Sequence, residues 1–167
     1  TRMDEPLGRA IGNAMEVQEC LDIMKGKKFS GEGKGWDDII DLTLELAGDM
    51  IWLGKKTATP AAGKALATQL LREGRAFEKF KEICKWQGGD LEAPLAVAAE
   101  SRVLTAAADG YMNYQDVERL GSAAIVLGAG RKIAADSVDF GAGIEAFRAN
   151  GERVQKGAPL FKLFASS

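Results

Sequence analysis

Apolar positions recur at helical spacing up to about residue 90 and fall into short, mixed runs after it. Asn13 and Glu16 have the spacing of a capping box, and Ala14, Val17, Leu21 and Met24 mark one face of the helix that follows, with Gly26 as its stop. The glycine- and lysine-rich stretch 26–35 reads as a mobile loop. Asp37 or Asp38 then opens a second helix to about Leu53. Its apolar residues (Ile39, Ile40, Leu42, Leu44, Leu46, Ala47, Met50, Ile51, Leu53) go almost all the way round, the signature of a helix buried between layers. Thr59-Pro60 supplies a cap and a first-turn proline for a third helix ending near Gly74. A fourth, about Arg75 to Trp86, gathers Phe77, Phe80, Ile83 and Cys84 on one side before Gly88-Gly89.

Leu91 to Ala96, with Pro94, is the best boundary in the chain. Beyond it strands are expected at Glu100–Ala106, from Gly110, at Phe140–Phe147 and at Pro159–Phe164, with Asn150-Gly151 as a turn. A helix capped by Asp116 should run from Val117 to Leu127 and stop at Gly128-Ala129-Gly130. The expected class is α+β: a helical part over residues 1–90 and a small α+β module over 95–167.

Composition narrows the function. A chain of 167 residues suits one medium domain or two small ones. With 22 basic against 24 acidic residues the net charge is −2, which argues against a nucleic-acid partner held by phosphate neutralisation. No apolar run approaches the roughly 20 residues of a membrane helix, and no secretory signal is expected. Cys20 and Cys84 are too few and too far apart for a disulfide framework or a thiolate zinc site, so a reducing cytoplasm is the natural setting. Histidine is absent, which excludes any mechanism needing an imidazole from within this chain. The start at Thr1, with no initiator methionine, suggests a processed or excised piece.

Several motifs tempt and fail. Gly26 to Gly31 has the glycine spacing of a phosphate loop, but Glu32-Gly33 stands where Lys-Ser or Lys-Thr is required. Gly128-Ala129-Gly130-Arg131-Lys132 follows a helix, where carbonyls rather than amides are free, so a helix stop is the better reading. Gly151 to Leu160 is similar to the strand-turn pattern of biotinyl- and lipoyl-carrier domains. Lys156 and Lys162 lack the small apolar neighbours of a modified lysine, and a packing hairpin is favoured. Trp36, Trp52 and Trp86 read as core or interface aromatics.

The run from Met3 to Glu19 stands apart. A kinked loop there turns carbonyls such as those of Leu7 and Ala10 away from regular pairing, and Glu19 adds one carboxylate from the helix. Carbonyls with a single negative charge suit a hard monovalent cation better than calcium. On these grounds alone, Glu19 as an ordinary surface carboxylate remains the stronger reading.

That same run, Met3-Asp4-Glu5-Pro6-Leu7-Gly8 through Ile11-Gly12-Asn13 to Glu16-Val17-Gln18-Glu19, resembles the pyrimidine-nucleoside phosphorylases, the thymidine phosphorylase family. The likeness continues through Gln87-Gly88-Gly89-Asp90, Asp109-Gly110-Tyr111, Gly121-Ser122-Ala123-Ala124, Leu127 to Arg131, Asp139, Gly143 and Gly151 to Leu160. It covers nearly the whole chain, more loosely through 27–75, and corresponds only to the later portion of the family sequence. The resemblance implies a cytoplasmic, homodimeric pentosyltransferase that cleaves thymidine or uridine with phosphate as co-substrate, giving free base and (deoxy)ribose 1-phosphate. It places both parts of the chain in the family's large α/β domain, whose central parallel strands are mostly missing here, so the apolar faces of Ile39 to Leu53 are expected to be partly uncovered or covered by another chain. The family's phosphate loop, histidine and base-gripping residues lie upstream, so no catalytic or substrate-binding residue is assigned and these residues alone are expected to be inactive. What carries over is a potassium site: the carbonyls of Leu7 and Ala10 and the carboxylate of Glu19. The alternative is a shortened, non-catalytic paralogue acting as an interaction module.

Overall fold

A computed structural model describes residues 3–31 and 33–166. In chain order its elements are β1 (Ala10–Ile11), α1 (Asn13–Met24), α2 (Asp37–Leu53), α3 (Pro60–Arg72), α4 (Arg75–Trp86), β2 (Glu100–Thr105), β3 (Gly110–Tyr111), α5 (Val117–Val126), β4 (Gly143–Ala146), β5 (Arg153–Val154) and β6 (Pro159–Ala165). The α+β class is as expected. The chain forms two compact units, one helical (Cys20–Phe29 and Trp36–Pro94) and one built on sheets (the chain up to Glu19, Ser30–Gly35 and from Leu95 onward). The division into residues 1–90 and 95–167 is therefore corrected at its amino-terminal end. The segment before Glu19 joins the sheet unit because β1 pairs with β4, a long-range register that local periodicity does not reveal.

In the helical unit, α2 and α3 meet backbone to backbone. A Cβ added to Gly63 would lie 2.2 Å from the Gly48 carbonyl oxygen, and one added to Gly48 would lie 2.5 Å from the Lys64 nitrogen. The Thr59 hydroxyl accepts from the Ala62 N–H at 3.2 Å, with Pro60 in the first turn, so the cap forms where the sequence put it. The all-round apolar α2 is not enclosed: Leu46, Met50 and Leu53 are exposed along one side. Another side, with Ile39, Leu44 and Ile51, joins Ile23, Leu70 and Leu71 in an apolar groove of about 530 Å³.

In the sheet unit every pairing is antiparallel, in the order β1-β4-β6-β2, with a second two-stranded sheet β3-β5. Ile11 faces Ile144, and Ile144 faces Leu163. The core is built from small residues: Ala142, Ile144 and Ala146 are fully enclosed, joined by Ala14, Ala106, Ala124 and Val154. Small side chains are needed because backbones approach closely. A Cβ on Gly143 would lie 2.4 Å from the Ile11 carbonyl oxygen. Asp116 caps α5 by accepting from the Arg119 N–H at 3.0 Å.

The expected strand at 140–147 is shorter, Gly143–Ala146. Its amino-terminal part instead forms a turn, in which the Asp139 carboxylate accepts from the Gly141 N–H at 2.9 Å. The capping box of α1 is also corrected. Glu16 accepts from the Gly12 N–H at 3.1 Å, while the Asn13 amide donates to the Ala129 carbonyl at 2.9 Å. Among the described residues no helix is long and apolar enough to cross a membrane.

Candidate cation site in the amino-terminal loop

Residues 3–9 form an irregular loop ahead of β1, and α1 returns toward it. Leu7 is half exposed in this loop. Ala10 lies in β1, opposite Glu145 of β4. Glu19, in the second turn of α1, is buried at 7 % exposure, unlike the surface carboxylate its sequence context favours. Its carboxylate accepts a hydrogen bond from the Arg9 N–H at 2.9 Å. Gly8, at φ +65°, is what permits this approach: a Cβ there would lie 2.4 Å from the other Glu19 oxygen. The structure thus brings Glu19 against Gly8 and Arg9, the two residues between Leu7 and Ala10.

Linked to the same loop is a set of charges that local sequence reasoning does not find. Arg9 is 5 % exposed. Its Nη2 and Nε donate to one Glu145 oxygen at 2.8 and 3.2 Å, and its Nη1 donates to the Lys34 carbonyl at 2.6 Å. The guanidinium also lies 5.0 Å from the centre of the Phe147 ring, a cation–π contact. Lys34, expected in a mobile loop, is buried at 7 % exposure. Its only local sign is the pair of flanking glycines. Glu5 accepts from the Asn150 N–H at 2.9 Å. Burial pushes the Tyr114 phenol above its ordinary range, and the charges of Glu5 and Glu152 add to that rise. The Tyr114 hydroxyl donates to the Arg148 carbonyl at 2.8 Å.

The donor chemistry is all hard oxygen, with one carboxylate against the loop. Among the described residues no group of three or more acidic, cysteine or histidine side chains gathers to hold a metal. The Glu19 carboxylate packs where a side chain on residue 8 would stand, so glycine at that position is what seats it against the loop.

The glycine run at 128–130 closes α5. The Gly128 and Ala129 amides donate to Ile125 and Ala124 carbonyls, and those of Lys132 and Ile133 donate to Asp136. With these amides bonded inside the chain, the run is a helix stop rather than an anion cradle.

The chain carries recognisable relatives. Residues 111–167 match the family model described as the pyrimidine nucleoside phosphorylase C-terminal domain. Over all of its length the chain is 40 % identical to a thymidine phosphorylase of Mycobacterium tuberculosis, covering 36 % of that protein. Over 98 % of its length it is 37 % identical to a pyrimidine-nucleoside phosphorylase of Bacillus subtilis and 35 % identical to one of Staphylococcus aureus, covering 37 % of each. The chain therefore spans a little over a third of the length of these relatives.

Proposed function

With the chain placed in the pyrimidine-nucleoside and thymidine phosphorylase family by its likeness to the carboxy-terminal portion of those enzymes, we propose that it is a working part of a pyrimidine-nucleoside phosphorylase. The observation that carries this reading is the match along the entire chain, at 40 % identity, to a thymidine phosphorylase. In the intact enzyme, phosphate attacks the anomeric carbon of thymidine or uridine as the glycosidic C–N bond breaks. The products are the free base and (deoxy)ribose 1-phosphate. The groups that hold phosphate and grip the base belong to the part of the family sequence outside this chain, so these 167 residues contribute none of them. The working enzyme is a cytoplasmic homodimer. Incubating the chain alone with thymidine or uridine and phosphate should release no base, and turnover would overturn this placement of the reacting groups.

The role we assign to this chain is a potassium site made by the Leu7 and Ala10 carbonyls and the Glu19 carboxylate. The burial of Glu19 and its approach to Gly8 support it. When bound, the ion supplies one positive charge at the loop. The chain's own residues do the rest: Gly8 leaves the space, Arg9 fixes one carboxylate oxygen through its N–H, and α1 sets the position of Glu19. A loop fixed in this way can preorganise an anion cradle without touching substrate. Glu19→Gln keeps the size and removes the charge, so the potassium concentration giving half-maximal activity of the intact enzyme should rise. An unchanged potassium dependence would return Glu19 to a purely structural role.

The second reading, a shortened paralogue acting as an interaction module, draws support from the exposed Leu46, Met50 and Leu53 on α2. Activity of the intact protein separates the two.

A further inference from the structure

The loop that carries Leu7 is held by a charge from a residue distant in sequence. Gly33 adopts φ +81°, and a Cβ there would lie 1.9 Å from the Phe147 carbonyl oxygen, so only glycine lets the chain pass this close. Lys34 follows and is fixed at both ends of its backbone. Its N–H donates to the Phe147 carbonyl at 2.7 Å, and its own carbonyl accepts from Arg9 Nη1 at 2.6 Å. The side chain turns inward, with only 5 % of it exposed; the ammonium donates to the Pro6 carbonyl and lies 3.8 Å from a Glu5 carboxylate oxygen. Bringing an ammonium into a buried position is costly unless its partners are in place. A residue that merely filled this space would be a Met or Leu. One backbone carbonyl and one carboxylate are the kind of oxygen partners that a free monovalent cation takes.

We propose that Lys34 is the tethered cation of the Glu5–Arg9 loop, a positioning residue whose ammonium occupies a monovalent-cation position and holds the loop in shape through Pro6 and Arg9. The ammonium of Lys34 reaches Pro6 and the guanidinium of Arg9 reaches the Lys34 carbonyl, a circuit closed by the backbone from Pro6 to Arg9, and the Arg9 N–H ties it to Glu19. Covalent attachment keeps the cation's local concentration high, so the loop forms without a dissolved ion at Pro6. This is separate from the potassium reading, which concerns Leu7, Ala10 and Glu19, and either can fail without the other.

The test is chemical rescue in the 167-residue chain. Thermal unfolding and hydrogen exchange at the Arg9 N–H are measured for the parent, Lys34→Ala and Lys34→Met. The salts are the chlorides of ammonium, ethylammonium, potassium and tetramethylammonium at equal ionic strength. The parent should unfold at the same temperature in all four. Lys34→Ala should unfold earlier, with Arg9 exchange faster by roughly tenfold or more, the scale of a lost charge-assisted hydrogen bond. Ammonium or ethylammonium should restore part of that loss and tetramethylammonium none. Lys34→Met, which refills the space without charge, should show the loss and no rescue. An equal loss of Lys34→Ala in every salt, or a Lys34→Met chain that matches the parent, would overturn the proposal. Should Lys34→Ala not fold, amine acylation of the parent and of Glu5→Gln decides instead. Lys34 should react many-fold more slowly than the exposed Lys27 in the parent and faster in Glu5→Gln, whereas equal reactivity of Lys34 in both chains would overturn the assignment.

Discussion

Replacing Gly8 by alanine tests the packing of Glu19 against the loop. Gly8 sits at φ +65°, where an L side chain costs about 1–2 kcal/mol. The new Cβ would also lie 2.4 Å from a carboxylate oxygen of Glu19, so the carboxylate must move. Glu19 is buried, and moving it breaks the 2.9 Å hydrogen bond from the Arg9 N–H. A hydrogen bond to a charged group contributes about 1.5–3 kcal/mol, which puts the total for Gly8→Ala at about 2.5–5 kcal/mol. Gly151→Ala is the control: its φ of +80° is similar, it belongs to the same unit, and nothing lies within 4 Å of the added carbon. It should cost only the backbone part, about 1–2 kcal/mol. Both tyrosines lie in the sheet unit and all three tryptophans in the helical one, so urea unfolding followed through tyrosine near-UV circular dichroism reads the relevant unit. In a Glu19→Ala background the extra cost of Gly8→Ala should disappear. If Gly8→Ala costs no more than Gly151→Ala in the parent chain, Glu19 is not seated against the loop and the argument fails.

Other expectations follow from the same geometry. Gly63→Ala gains about 1 kcal/mol of helix propensity but drives a carbon to 2.2 Å from the Gly48 carbonyl at an overpacking cost of about 1–3 kcal/mol, so a net loss of up to about 2 kcal/mol should appear in the tryptophan-monitored transition. Net stabilisation would mean that α2 and α3 are not in backbone contact. The raised pKa of Tyr114 means that folding favours the neutral phenol. Its contribution is fully present below the ordinary tyrosine pKa of about 10 and is lost as pH rises above it. The urea midpoint of the sheet unit should therefore fall above about pH 10, and Tyr114→Phe should remove that part of the fall while losing the hydrogen bond to Arg148.

The helices of the helical unit are legible because their signals are local: Thr59 and Pro60 at a start, aromatic spacing along α4, glycines at the stops. What local pattern does not carry is what lies across a helix or strand. Periodicity alone reads the all-round apolar α2 as buried between layers, and only the resemblance, with its missing strands, leaves its faces partly uncovered; Leu46, Met50 and Leu53 are exposed, because periodicity records which faces are apolar and not what covers them. The two-residue β1 is too short to show alternation and is fixed by its distant partner β4. The loop and Glu19 stand out by their residue types, and the resemblance adds weight to them. The pairing of Arg9, Lys34 and Glu145 has no such sign, since a charged residue is by default a surface residue and only three-dimensional structure reveals otherwise. Gly33 and Gly8 held the one clue, a need for left-handed backbone, which a sequence does not distinguish from ordinary loop glycine.

The proposal that this chain is a working part of a phosphorolytic enzyme is tested most directly by exchange into a relative. The region of the Mycobacterium tuberculosis thymidine phosphorylase that aligns with this chain, over 168 residues, is replaced by it. The folded chimera is then given thymidine or uridine with and without phosphate. We predict phosphate-dependent release of free base together with a pentose 1-phosphate. A chimera with the parent's circular dichroism spectrum and a cooperative melt, but no phosphate-dependent release of base, would contradict the account.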